Sequence, residues 1–234
     1  MLASPFQKCL AEFIGTFALN FGGVLAVVHF AGMPGELIGV ALAHGVIIIT
    51  MVAATIAVCG AHFNPAVTLG LLLVGRIKPG LAAAYIAVQV ASGFVAAGLL
   101  LPYLGEDAAA GLARGTPYTE PDRLGLIPAL ALEALLTFFL VFVIYGSAVD
   151  RRGTRLAPLY IGLAVTMGIL IGGPLTGAAM NPARYTGVAV VSGDAARLGQ
   201  AWLYWVGPLL GGVAACLLWK HVLESPDTEG EPSA

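Results

Sequence analysis

The triplet Asn-Pro-Ala occurs twice in this chain, as Asn64-Pro65-Ala66 and Asn181-Pro182-Ala183, each at the same place inside one of two similar apolar halves. Asn is a favoured N-cap and Pro the favoured first helical residue, so each triplet predicts a helix start. The helices so started are short, covering 66–73 in the first half and 183–191 in the second. At about 1.5 Å per residue they reach roughly 12–14 Å, less than half of a hydrocarbon core of about 30 Å. Two of them end to end could cross one membrane. A lone Asn-Pro pair is commonly a surface turn. Two copies in register within repeated hydrophobic halves are not explained that way.

Hydrophobic residues make up 59% of the chain and charged residues 10%, with a mean hydropathy of +0.91. Soluble domains are about a quarter charged, so the composition is that of an integral membrane protein. A net charge of −2 argues against nucleic acid as a partner. Cys9, Cys59 and Cys216 show no CxxC or His/Cys spacing and read as small core residues, neither disulfides nor metal ligands. No cofactor or nucleotide motif is present in the sequence.

Six apolar stretches are long enough to span, at 7–30, 36–59, 80–103, 127–149, 156–174 and 199–222. The first is too long for a cleaved signal peptide and is expected to be retained. Residues 1–103 form a first repeat and 127–222 a second, joined by a segment at 104–126 rich in Gly, Pro and charge. The polar, acidic residues 223–234 read as a disordered tail. Lys8, Arg76, Lys78, Arg151, Arg152, Arg155 and Lys220 flank the spans on one side, against Arg114, Arg123 and Arg197 on the other. The positive-inside rule then puts both termini in the cytoplasm, and the cell membrane is the expected location.

Glu12-x-x-x-Thr16-Phe17 in the first span matches Glu133-x-x-x-Thr137-Phe138 in the fourth. Each half holds three spans, an odd number, so the second must enter the membrane from the opposite side. The expected fold is all-α, six transmembrane helices plus two re-entrant half-helices in an inverted repeat, with the half-helix N-termini meeting near the midplane. Non-helical backbone at that depth, at 60–64 and 177–181, must be buried or line a wet cavity. Its amides need partners, and the intramembrane carboxylates of Glu12 and Glu133 are assigned to accept from them. A proton-relay pair in a transporter is the alternative for these two. An intramembrane hydrolase would need a Ser/His/Asp or metal spacing that is nowhere in the chain, so no enzyme is expected.

With Ala11-Glu12-Phe13 and Thr16, His62 to Thr68, Tyr85 with Gln89 and Gly93, Asn181 to Arg184, and Trp205 to Pro208, the chain resembles the aquaporins, the major intrinsic protein family, over Ala11 to Trp219. The resemblance implies a narrow pore in every protomer and a homotetramer in the lipid bilayer. Gly168-x-x-x-Gly172 and Gly207-x-x-x-Gly211 are small-residue faces that could serve contacts within or between protomers.

The resemblance also places a four-residue constriction at His44, Ile169, Ala178 and Arg184. Water-selective members usually carry an aromatic, His and Thr or Cys at the first three positions; this set instead resembles plant tonoplast intrinsic proteins. It implies a wider constriction with one apolar wall, passing water and small neutral solutes such as ammonia, hydrogen peroxide or urea. An arginine three residues past Asn181 should face a wet pore, repelling cations, and a neutral His44 could bond a solute. Tyr185, Ala189 and Tyr204-Trp205 depart from the glycerol-facilitator pattern. His62 is read as a cytoplasmic vestibule group or a loop cap, while His29 and His221 carry no functional case. Converging half-helix dipoles, Arg184 and the Asn64 and Asn181 amides would together block proton relay along a water file. A junction protein and a proton-coupled transporter are the readings from other classes.

Overall fold

The computed structural model describes residues 3–224; the tail expected at 225–234 lies outside the described residues. Among the described residues ten α-helices follow one another: α1 Pro5–Phe30, α2 Glu36–Cys59, α3 Pro65–Leu73, α4 Pro79–Leu100, α5 Ala108–Gly115, α6 Leu126–Ile144, α7 Ala157–Thr176, α8 Pro182–Ser192, α9 Ala195–Gly199 and α10 Ala201–Leu218. Six are long and apolar enough to cross a membrane: α1, α2, α4, α6, α7 and α10. The helix bounds fall within about three residues of the sequence expectation, except that α6 and α10 stop five and four residues short and are continued by other helical turns; the local causes are plain. Ser4 and Gln7 close a reciprocal capping box, with Pro5 at the first helical position, so α1 starts two residues earlier than hydropathy indicates. α2 and α7 both stop at a left-handed glycine, Gly60 with φ 86° and Gly177 with φ 75°.

The polarity of the molecule is arranged for a lipid solvent. Leu42, Leu99, Leu135, Leu163, Ile171 and Leu210 are each about half exposed, while Glu12, Gln89, Glu133, Thr16 and Thr137 are fully buried. α10 packs on α6, α2 on α7, α1 on α2 and α4, and each short helix is held by a long one, α3 by α10 and α8 by α4. These approaches require missing side chains: a Cβ on Gly187 would strike the Gly93 backbone, and one on Gly207 would lie 3.0 Å from Leu130 O. Gly168 and Gly172 serve differently, making room for the Met180 and Leu136 side chains. All three thiols are free.

The segment joining the halves is more ordered than its composition indicates. It carries α5, capped by Asp107, whose carboxylate accepts from Ala110 N at 3.1 Å, and Leu112 is buried among Val24, Leu100 and Val188. At the expected cytoplasmic end, π-helical turns at Tyr145–Val149 and Trp219–Leu223 extend α6 and α10. Glu224 is ion-paired with Arg76 and Lys220 and accepts from the buried Tyr145 hydroxyl. Asp150 accepts from Arg152 N and Nε at 2.8 Å and from Nη2 at 2.7 Å, and Arg152 Nη2 also reaches Leu223 O. The guanidinium holds the Asp150 carboxyl down at about 2. A carboxylate depressed below its unfolded value stabilises fully above that value and loses the contribution as pH falls through the folded one. Asp150→Asn should therefore lower the midpoint of thermal unfolding at pH 7 by about 2–4 °C. The gap between variant and wild type should close as the pH is taken from about 4 to 2.

Candidate pore

Asn64 and Asn181 each cap their own short helix and grip the opposite half. Asn64 Oδ1 accepts from Ala66 N at 2.9 Å, and Asn181 Oδ1 accepts from Ala183 N at 3.0 Å and Arg184 N at 3.3 Å. Pro65 and Pro182 take the first helical position, so the missing N–H costs nothing there. Asn64 Nδ2 donates to Met180 O at 2.7 Å, and Asn181 Nδ2 donates to Phe63 O at 2.8 Å. An amide nitrogen carries two hydrogens, so each side chain keeps one donor beyond this exchange.

The backbone leading into each Asn is irregular and follows the same path twice. Ala61 and Phe63 have φ 52° and 49°, and Ala178 and Met180 have φ 46° and 50°. Left-handed non-glycine residues cost roughly 1–2 kcal/mol each, so something must hold them. Glu12 accepts from His62 N at 2.8 Å and Phe63 N at 2.7 Å; Glu133 accepts from Ala179 N at 3.0 Å and Met180 N at 2.8 Å. Each carboxylate has one further donor, Gln89 Nε2 at 2.8 Å for Glu12 and Thr176 Oγ1 at 2.6 Å for Glu133. Neither has a basic residue bonded to it among the described residues. Gln89 entered the sequence analysis only as a shared residue and Thr176 not at all, because a hydroxyl at the end of a helix belongs to no motif.

Both Asn residues line one narrow cavity of about 40 Å³, together with His44, Ile169, Ala178, Arg184 and His62. The half-helix N-termini meet there, so their partial positive charge points into it. Pro65, Ala66, Pro182 and Ala183 lie behind the Asn pair as buried helix starts. Arg184 is 7% exposed, and its Nη2 donates to His44 Nε2 at 2.9 Å. The other ring nitrogen, Nδ1, lies 2.8 Å from Val40 O and must be the protonated one, since a carbonyl only accepts. His44 is thus the tautomer that receives a bond from Arg184. It has no ring nitrogen left for a solute, contrary to the sequence expectation. His62 lies at the other end, with Nδ1 3.1 Å from Thr68 Oγ1 and its ring edge-on to Tyr85, so it lines the cavity and braces the loop at once.

A wider cavity of about 490 Å³ adjoins the first, sharing Ile169 and Arg184. The connecting segment supplies much of its wall, with Arg114, Tyr118 and Glu120, and Glu36 and Arg197 complete it. The narrow cavity thus adjoins a wider one walled by charged side chains. The family model of the major intrinsic proteins matches residues 2–219.

The chain belongs to the major intrinsic protein family.

Two relatives agree over nearly full length. An Aquaporin Z of Rhodopseudomonas palustris is 42% identical, covering 94% of this chain and 95% of that protein. An Aquaporin Z of Brucella melitensis is 40% identical, covering 93% and 98%. The X-ray structure of the aquaglyceroporin from Plasmodium falciparum superposes with a TM-score of 0.83 at 24% identity, over 94% of this chain and 97% of that one, and shows the shared fold. As a major intrinsic protein the chain is a multi-pass membrane channel and not an enzyme.

Proposed function

We propose that this channel conducts water passively, admits small neutral solutes such as ammonia, hydrogen peroxide or urea, and excludes protons and ions. The observation that carries the reading is the narrow cavity on which both half-helix N-termini, both Asn amides and Arg184 converge. At about 10–15 Å³ per water centre, about 40 Å³ holds roughly three waters, a number suited to single file. The free N–H of each Asn offers donors to a water oxygen, while fixed positive charge disfavours hydronium and cations. Both termini cytoplasmic, a place in the cell membrane and assembly as a homotetramer belong to the same proposal. The two repeats at 1–103 and 127–222 would be inverted across the bilayer, with 104–126 outside.

The solute range rests on Ile169 and Ala178, which put small or apolar groups where other members carry larger polar ones. A stricter water channel is favoured by one observation, the His44–Arg184 bond, which leaves the His44 ring without a free nitrogen for a solute. Stopped-flow light scattering on proteoliposomes separates the two. The wild type should shrink fast in an osmotic gradient with a low activation energy and no proton current, and should take up urea above the empty-vesicle rate. His44→Phe with Ile169→His should keep the water flux and lose most of the urea flux. Osmotic permeability equal to that of empty vesicles, in protein shown to be folded, sinks the channel proposal. Wild-type uptake of water alone leaves the strict reading.

A further inference from the structure

Another hydrogen-bonded assembly lies outside the cavity and touches its walls on two sides. Tyr204, in the first turn of α10, is fully buried. Its hydroxyl donates to Thr176 O at 2.6 Å and, with that proton used, accepts from the Thr119 hydroxyl at 3.3 Å. Thr119 belongs to the connecting segment and is itself fully buried. One side chain holds both its backbone groups: Gln200 Oε1 accepts from Thr119 N at 3.0 Å, and Gln200 Nε2 donates to Thr119 O at 2.7 Å. Nearby, Pro117 lies against Gly177 so closely that an added Cβ there would come within 2.7 Å of Pro117 Cα.

Thr176 ends α7, so its carbonyl is one that the helix leaves without an internal partner. Its hydroxyl bonds to Glu133 and accepts from Ala178 N at 3.2 Å. Meanwhile the Tyr204 ring stacks on Tyr185, the neighbour of Arg184, with centroids 4.3 Å apart and planes 16° from parallel. Tyr204 therefore reaches the Ala178 wall through its hydroxyl and the Arg184 wall through its ring. Ala178 has no polar side chain to fix its own place, and its left-handed backbone takes its position from Thr176.

We infer that Tyr204 is a positioning residue for the constriction, and that with Thr119 and Gln200 it makes the connecting segment part of the selectivity apparatus. The inference rests on the channel reading above, with Ala178 and Arg184 as two walls of the narrowest passage. Discrimination between solutes differing by one or two heavy atoms needs walls held to within about 0.5 Å, which is what a buried relay of this kind supplies.

Tyr204→Phe keeps the ring stack but leaves the Thr176 carbonyl and the Thr119 hydroxyl unpaired, and Thr119→Val removes only the loop end of the relay. In proteoliposomes whose wild-type water flux has first been measured, both variants should raise the urea-to-water permeability ratio, corrected for empty vesicles, by about three- to tenfold. Tyr145→Phe is the control, a fully buried phenol at the opposite end of the molecule bonded to Arg76 and Glu224. It should lower heat resistance and leave the ratio at the wild-type value. If Tyr204→Phe gives no folded protein, Thr119→Val decides alone. Ratios within about twofold of wild type, or lower, or an equal rise in Tyr145→Phe, overturn the inference. Wild-type protein that carries no water overturns the channel reading, and the inference with it, which tells the two failures apart.

Discussion

Glu133→Ala should leave little folded protein. Three donors, the Thr176 hydroxyl and the Ala179 and Met180 amides, converge on this carboxylate, which is fully buried. Each orphaned buried donor costs about 1–3 kcal/mol, and the vacated volume adds to that, so the total loss should be about 3–5 kcal/mol. Glu133→Gln keeps one carbonyl oxygen as acceptor and turns its amide toward the other donors, and should lose roughly half as much. Glu12 is bonded in the same way to His62 N, Phe63 N and Gln89, and its pair of variants should follow the same order. Size-exclusion recovery after a heat step measures the loss, and water flux per folded protein should stay near wild type in the Gln variants. Stable Gln variants whose transport vanishes only when a pH gradient drives it would instead point to a proton-coupled transporter.

The largest functional change is expected from Arg184→Val. Among the described residues this guanidinium is the only Lys or Arg group lining the narrow cavity, and it also lines the wider cavity beside it. At an effective dielectric constant near 20, a unit charge at about 4 Å is worth roughly 4 kcal/mol, so removing it should raise sodium and proton leak by up to about 1,000-fold. The change also strips His44 Nε2 of its donor, widening the passage for urea. Arg184→Lys should preserve cation rejection, since the charge remains, but not solute discrimination, since the planar fork is lost. Vesicles loaded with a pH-sensitive dye and challenged with a potassium diffusion potential read the leak directly. An Arg184→Val channel as tight to ions as wild type would move the barrier to the half-helix dipoles alone.

The helices were legible because their causes are local. Asn followed by Pro marks a helix start whatever surrounds it, and a span announces itself by hydropathy alone. The two glutamates stood out because a carboxylate in an apolar stretch demands a partner. Other features depend on meetings that no local pattern records. α5 is hidden in Ala-Ala-Ala-Gly-Leu-Ala-Arg-Gly between Gly- and Pro-rich flanks, and the burial of Leu112 against three other helices, which no local pattern records, helps to hold it. His44 and Arg184 were each singled out, yet their bond depends on which ring nitrogen Val40 O claims. The positive φ angles fall on Ala61, Phe63, Ala178 and Met180, residue types that give no warning of such backbone. Thr119, Gln200 and Tyr204 are ordinary polar residues until the chain brings them together.

The exchange of bonds between Asn64 and Met180 and between Asn181 and Phe63 is reciprocal, each half giving what it receives. A chain half as long, paired antiparallel with its own copy, would satisfy both bonds equally well, so the arrangement is one that gene duplication could inherit ready-made. The two carboxylates are nevertheless completed differently, one by Gln89 from a neighbouring long helix, the other by Thr176 from the helix just before its own loop. Each half thus completes its own carboxylate from within itself, by a donor at a different place in the fold, so either loop could be rebuilt without borrowing a side chain from the other half.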